Sequence, residues 1–282
     1  PQTSASQRYR FDDVVIEPEA LERTASFFSL LKEEYRQHFL AGAMLRLDTP
    51  CVQHEAGAVW NGIRVRHLRH NLDLSCRRDM LRGEREIKRR HQYAAWWYCL
   101  IPLEARMEED LPWPFFLNGD DIEYSLRRAR GILTLNGISV WHEPFDKKFN
   151  PIKQYYFTCK NGLAVNACNG FSLFRSLSLV HLRVGFLLLK GNRTGVSLVL
   201  KGLEDFLAGP EYLFTVDSVQ LLHDLEAFSL SRQKKLFCRF LHTSVLLCIR
   251  YRQMQQQYQQ SRPSRTEWEG LVRREQKGEV SC

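Results

Sequence analysis

Near residue 150 the hydrophobic pattern of this chain changes period, and that change restricts it to a two-part architecture. Before it, apolar residues come in short β-branched or aromatic runs separated by turn residues: Val14-Val15-Ile16, Ala43-Met44-Leu45, Val59 to Val65, Tyr93 to Ile101 and Ile132 to Val140. Runs of this length and composition predict strands. Pro18 suits the first turn of a helix, with Leu21, Ala25, Phe28 and Leu31 at helical spacing. A second helix follows the turn Leu111-Pro112-Trp113-Pro114 and is opened by Asp120-Asp121. Beyond the change, Leu, Phe and Ser dominate 171–190 and helical spacing continues with few strand signals. Met254 to Cys282 is polar and rich in Gln and Arg, which predicts a frayed tail. The expected fold class is α/β over 1–165, followed by a mainly helical domain over 166–282.

With 44% hydrophobic and 12% aromatic residues, the 282-residue chain has the material for a packed core, which excludes a disordered or low-complexity protein. Its eight cysteines form no CxxC pair, which argues against zinc ribbons and thioredoxin-type redox motifs. They fit free thiols in a reducing compartment, with Cys99 and Cys248 in apolar runs expected to be buried. No leader of basic-then-apolar type opens the chain, and no run reaches the roughly 18 apolar residues of a spanning helix, so a membrane-spanning protein is not expected.

Forty Lys and Arg against 32 Asp and Glu give a net charge of +8. Residues 64–90 hold ten of the cations against four acids. The excess points to an anionic partner: phosphates, nucleic acid or an acidic membrane surface. No RNP, finger or helix-turn-helix signature accompanies it, so no nucleic-acid partner is expected. Leu236, Phe237, Phe240, Leu241, Val245 and Leu247 form an apolar helical face flanked by Lys234, Lys235, Arg239, Arg250 and Arg252. That face fits either a helix lying in an anionic interface or an ordinary core helix.

Four clusters could carry chemistry. Asp12-Asp13 precede a strand, where hard oxygen ligands suit Mg²⁺ or Mn²⁺ on a diphosphate, and where a solvated acid pair is equally at home. Asp120-Asp121, with Glu123 close behind, fit either helix capping or a general base for an acceptor hydroxyl. His142 after Trp141 fits a structural imidazole or a metal ligand. Trp96-Trp97, read on a strand, would face opposite ways, one packing inward and one offering a platform to a sugar ring.

The run Phe116-Leu117-Asn118-Gly119-Asp120-Asp121-Ile122-Glu123-Tyr124, then Val140-Trp141-His142, Tyr156-Phe157 and Lys160-Asn161, resembles bacterial galactofuranosyltransferases. These are inverting glycosyltransferases of GT-A fold in the large processive-synthase family. The resemblance extends to Asp12-Asp13 with Glu17-Pro18, to Gly42-Ala43-Met44-Leu45, Trp96-Trp97 and Pro102, and to Asp205-Phe206-Leu207-Ala208-Gly209-Pro210-Glu211, covering about residues 11–215. It implies that 1–165 is the metal and acceptor half of a GT-A domain. It also implies Asp13, Asp12 and His142 as ligands of Mn²⁺ or Mg²⁺, Asp121 as catalytic base with Asp120 beside it, and Trp96, Trp97 and Glu123 at the acceptor site. The resemblance implies a UDP-sugar donor that delivers galactofuranose, with a glycan or lipid-linked glycan as acceptor.

The implied location is cytoplasmic, peripheral to the inner face of the plasma membrane, and a homo-oligomer is compatible with it. The family's acidic motif has three aspartates, and Phe11 stands at the first place, where it cannot ligate a metal. The motif also lies unusually early, so a chain lacking the nucleotide-binding half, and binding UDP-sugar poorly, is the expectation, with a catalytically inactive fragment of such an enzyme, or a basic membrane- or nucleic-acid-binding protein, as the alternative.

Overall fold

The computed structural model describes residues 9–11, 14–85, 87–102, 111–144, 149–230 and 235–276. It divides into two compact units: Pro1–Asn61 with Val65–Arg106 and Ser125–Lys148, and Gly62–Arg64 with Met107–Tyr124 and Phe149–Cys282.

The first unit is mixed α/β. Its strands are β1 (Tyr9–Phe11), β2 (Val14–Ile16), β3 (Phe39–Ala41), β4 (Ala43–Arg46), β5 (Val52–Glu55), β6 (Ala58–Trp60), β7 (Val65–His67), β8 (Leu72–Asp73), β9 (Gln92–Tyr93), β10 (Cys99–Leu100), β11 (Ile132–Leu133) and β12 (Ser139–His142). Helices α1 (Pro18–Ser29) and α2 (Arg77–Gly83) lie among them, and α3 (Asp120–Arg128) is divided between the units after Tyr124. A six-stranded sheet has the order β1-β2-β12-β4-β5-β8, and two three-stranded sheets run β10-β3-β11 and β7-β6-β9. The β12–β4 pair is parallel and β12–β2 antiparallel, with His142 opposite both Arg46 and Val14.

Three expectations for this unit are corrected. Tyr93 to Ile101 is two short strands joined by a turn that holds Trp96 and Trp97. Val59 to Val65 and Ile132 to Val140 are likewise split, the latter at Gly137 with its φ of +83°. Helix α1 buries Ala20 and Thr24 and leaves Leu21 exposed. The reason is local: the Tyr98 hydroxyl sits 2.6 Å from Thr24 Oγ1, and small residues on that face admit the aromatic ring.

Gly42 separates β3 from β4 and donates its N–H to the Tyr98 carbonyl at 2.9 Å. A Cβ there would lie 2.5 Å from Tyr98 Cδ1 and 2.9 Å from its Cβ. Overpacking of this kind costs about 2–3 kcal/mol. Gly42→Ala should therefore lower the denaturant midpoint without changing the m-value; an unchanged midpoint would show that Tyr98 yields freely.

The second unit is helical: a π-helical turn Ile152–Phe157, then α4 (Thr158–Cys168), α5 (Leu173–Leu189), α6 (Arg193–Phe206), α7 (Tyr212–Thr215), α8 (Ser218–Leu230), α9 (Leu236–Gln260) and α10 (Arg265–Gln276). Every residue from Cys159 to Ala167 is buried, so α4 is the central rod, packed by α5, α6 and α9. Polar stitches join these helices: Asn166 Nδ2 donates to Ser176 Oγ at 3.1 Å, and that hydroxyl donates to Tyr251 Oη at 2.7 Å.

The stretch after Met254 is not frayed up to Gln276. Tyr251, Met254 and Tyr258 recur on the buried face of α9, and Trp268 Nε1 donates to the Pro112 carbonyl at 2.9 Å. Apolar side chains spaced every three to four residues were hidden among the Gln residues that cover the other faces. Cys248 is exposed and Cys99 half-buried, against expectation, because each lies off the core-facing side of its element, whereas Cys159 is fully buried in α4. Among the described residues no helix is long and apolar enough to cross a membrane.

Candidate functional site

Asp120 and Asp121 owe their position to a strained loop. Leu117 and Gly119 adopt φ of +71° and +99°, in the left-handed region where glycine is at ease and leucine is not. Asn161, buried on α4, holds that loop: its Nδ2 donates to the Phe116 carbonyl at 3.1 Å, the Asn118 carbonyl at 2.7 Å and Asn118 Oδ1 at 3.1 Å. A Cβ at Gly119 would lie 3.3 Å from the Asn161 Cβ, so loop and helix are in close approach. The Lys160-Asn161 pair thus has a visible task. Asn161 clamps the loop, and Lys160 is buried among the rings of Tyr156, Phe157 and Tyr212, with Nζ 5.3–5.7 Å from their centroids.

Burial pulls the Lys160 ammonium down to about 8, opposed by Asp205. Asp205 accepts from Tyr156 Oη at 2.7 Å, Tyr212 Oη at 3.2 Å and Lys201 Nζ at 2.6 Å. The Asp205 motif is therefore a buried anchor of the helical unit.

At the start of α3 the Asp121 Oδ1 accepts the N–H of Ile122 at 2.8 Å, which orients the carboxylate. Burial raises the Asp120 carboxyl above its ordinary range, against hydrogen bonds from backbone N–H groups. Glu123 is wholly buried, and desolvation raises its carboxyl to about 8, with Arg262 pulling the other way. Two neighbouring carboxyls whose environments favour the neutral form are the kind of arrangement found where protons are handled.

In the first unit, His142 closes β12 and is buried. Its Nδ1 lies 2.5 Å from the Glu143 carbonyl. A carbonyl only accepts, so Nδ1 carries the proton and Nε2 presents the lone pair, the form a metal ligand takes. The Trp97 ring stands 6.4 Å from the His142 ring, packs against Ile16, Ala20 and Val140, and donates Nε1 to the Gly42 carbonyl at 3.3 Å. Trp96 is 37% exposed. One tryptophan is packed and one offered outward, but from a turn rather than a strand.

Asp12 and Asp13 lie outside the described residues. On either side of them Phe11 pairs with Val14, which in turn pairs with His142. The structure thus groups Trp97 with His142 in one unit, and Asp120, Asp121 and Glu123 at the head of α3 in the other.

Sequence reasoning treated the basic stretch as one field. Its cations have separate tasks. Arg69 donates to the carbonyls of Gly83, Ala56 and Arg85 at 2.7, 3.3 and 2.8 Å, holding backbone together. Lys88, Arg89 and Arg90 join Arg130, His38 and Gln92 around a cavity of about 540 Å³, where positive charge is concentrated.

The chain is similar to galactofuranosyltransferases. It is 30% identical over 220 residues to galactofuranosyltransferase GlfT2 of Mycolicibacterium smegmatis and 29% identical over 232 residues to that of Mycobacterium tuberculosis. Each alignment covers 73% of this chain and 34% of the relative, so the chain spans about a third of the length of the curated relatives it matches. No protein-family model matches it.

Proposed function

We propose that this chain belongs to a glycosyltransferase that moves galactofuranose from a UDP-sugar to a cell-envelope glycan acceptor with inversion, on a GT-A-type α/β domain followed by a helical domain. The observation that carries the reading is the likeness to GlfT2 over 73% of the chain. The clamped Asp120-Asp121 helix start and the oriented His142 add support. Inverting transfer is a single in-line displacement: Asp121 accepts the acceptor hydroxyl proton as that oxygen bonds to the anomeric carbon, and the bond from that carbon to the diphosphate breaks, releasing UDP. Asp120 positions the acceptor, with the wholly buried Glu123 acting only through the head of α3, and Trp96 supplies an aromatic platform that orients a sugar ring while Trp97 packs inward.

Asp13, Asp12 and His142 would hold Mn²⁺ or Mg²⁺, and the His142 tautomer fits such a ligand. When bound, the cation neutralises charge on the donor diphosphate. Transfer measured with UDP-galactofuranose and a glycan acceptor should give products with inverted anomeric configuration. Retention of configuration would refute this reading.

We further infer peripheral attachment to an anionic membrane. Helix α9 carries two apolar stripes: Leu236, Leu247, Tyr251 and Met254 face the core, whereas Phe237, Leu241, Val245 and Ile249 are exposed at spacing four. Leu182, Phe186 and Leu189 of α5 are exposed as well. Lys190, Lys235, Arg250 and Arg252 lie along the same two helices or at their ends, which suits acidic headgroups. The protein should float with phosphatidylglycerol vesicles and not with neutral ones, and the variant F237S/L241S/I249S should stay in the soluble fraction. Equal flotation of that variant would assign the attachment elsewhere.

A further inference from the structure

Three histidines and one buried glutamate converge in the first unit, on elements that the proposed transfer does not use. His54 and Glu55 end β5, His67 ends β7, and His70 follows in the next turn. Adjacent residues of a regular strand point to opposite faces. Here Met44 pairs with Glu55 and Leu45 with Gln53, so His54 is the extra residue of a bulge. A bulge re-aims a side chain, and the ligand atoms of His54, Glu55 and His67 come to lie within 4.8 Å of one another. Ring centroids are 4.8 Å apart for His54 and His67, 5.1 Å for His54 and His70, and 5.2 Å for His67 and His70.

Glu55 is 0% exposed; its Oε2 is bonded to His67 Nδ1, and its Oε1 has no hydrogen-bond partner. A buried carboxylate oxygen without a partner calls for an explanation, and a cation is the most direct one. His70 Nδ1 lies 2.7 Å from the His54 carbonyl. Because the carbonyl accepts, Nε2 of His70 presents its lone pair, the tautomer that metal-bound imidazoles take.

The scaffold around these groups is braced. Gln53 Nε2 donates to the Arg69 carbonyl at 2.9 Å, and the Arg69 guanidinium ties the segment to three further carbonyls. Arg69 and Asn71 hold φ of +47° and +54°, unusual for residues with side chains. This backbone sets His67 and His70 beside β5.

We propose that His54, Glu55 and His67 bind a zinc-type divalent cation, with His70 as a further imidazole at the same site. Two or three imidazoles with one carboxylate suit Zn²⁺, whereas Mg²⁺ takes oxygen ligands. The site is separate from the residues assigned to the donor diphosphate and does not rest on that assignment. Coordination replaces the His67–Glu55 hydrogen bond and fastens β5 to the hairpin that carries β7.

The test uses the full chain without a histidine tag, dialysed and then passed through gel filtration after exposure to Zn²⁺ alone. About one zinc per chain should remain bound, as expected of a closed protein site. The H54Q/H67Q variant should lose it, and H70Q should bind roughly 10-fold or more weakly. Co²⁺ substituted into the unaltered protein should show the intense visible bands of a four-coordinate site, a readout that survives if the double variant fails to fold. Retention of zinc by folded H54Q/H67Q, loss of it in D13N instead, or a six-coordinate Co²⁺ spectrum would each overturn the proposal.

Discussion

Replacing Asp121 with Asn is expected to lower the turnover of galactofuranose transfer about 10³-fold while leaving KM for the acceptor within a few fold, as removal of a general base does. The substitution keeps size and shape, and Asn Oδ1 can still accept the Ile122 N–H that Asp121 Oδ1 accepts at 2.8 Å. The fold should therefore be intact, and the loss would be chemical. Asp120→Asn provides the contrast. Asp120 is assigned to positioning the acceptor and not to taking its proton, so a smaller loss is expected. Steady-state kinetics on both variants, with circular dichroism as the check on folding, decide the point. If Asp121→Asn turns over within about threefold of the unaltered enzyme, Asp121 is not the base.

The second large effect is on stability. Glu123 has its carboxyl raised to about 8 from 4.5, with desolvation as the main cause and Arg262 opposing it. The folded state then holds a proton that the unfolded state releases. The contribution is fully favourable below the unfolded value of 4.5, declines as pH rises, and is lost once pH passes the folded value near 8. At about 1.4 kcal/mol per pH unit, the decline across that window is roughly 5 kcal/mol.

Glu123→Gln keeps the shape and cannot ionise, so its stability should run nearly flat over the same window and exceed that of the parent at pH 8. Urea unfolding at a series of pH values measures this directly. Parallel curves for the two proteins would mean that Glu123 is ionised in the fold and held so by Arg262. A buried acid kept at such a cost is what a site retained for function looks like.

Much of the local structure was legible in the residues themselves. Pro18 opens α1, Asp120-Asp121 open α3, and Val14-Val15-Ile16 form a strand, because each rests on local backbone preference. Burial was less legible. Hydrophobicity ranks Leu21 above Thr24, whereas α1 turns its small residues toward Tyr98. The helices after Met254 were hidden because three core side chains stand among many glutamines. The histidine cluster straddles the start of the basic stretch, with His54 and Glu55 before it and His67 and His70 inside it. Its only sequence signal is His54-Glu55 followed by His67 and His70, and nothing in that spacing announces a bulge in β5.

The change from strand to helix periods, and the short motifs that carry the galactofuranosyltransferase likeness, can be read along the chain alone. Both depend on neighbours in the chain, and neighbours are what a sequence displays. Which side chains are spent on the fold and which are offered outward emerges once distant segments meet. Asn161 became a clamp for the Asp120-Asp121 loop, Asp205 an anchor for Tyr156 and Tyr212, and Arg69 a brace between backbone segments. Hydrogen-bond reach is a few ångströms in space and is indifferent to separation along the chain, so those roles appear only once the chain is folded.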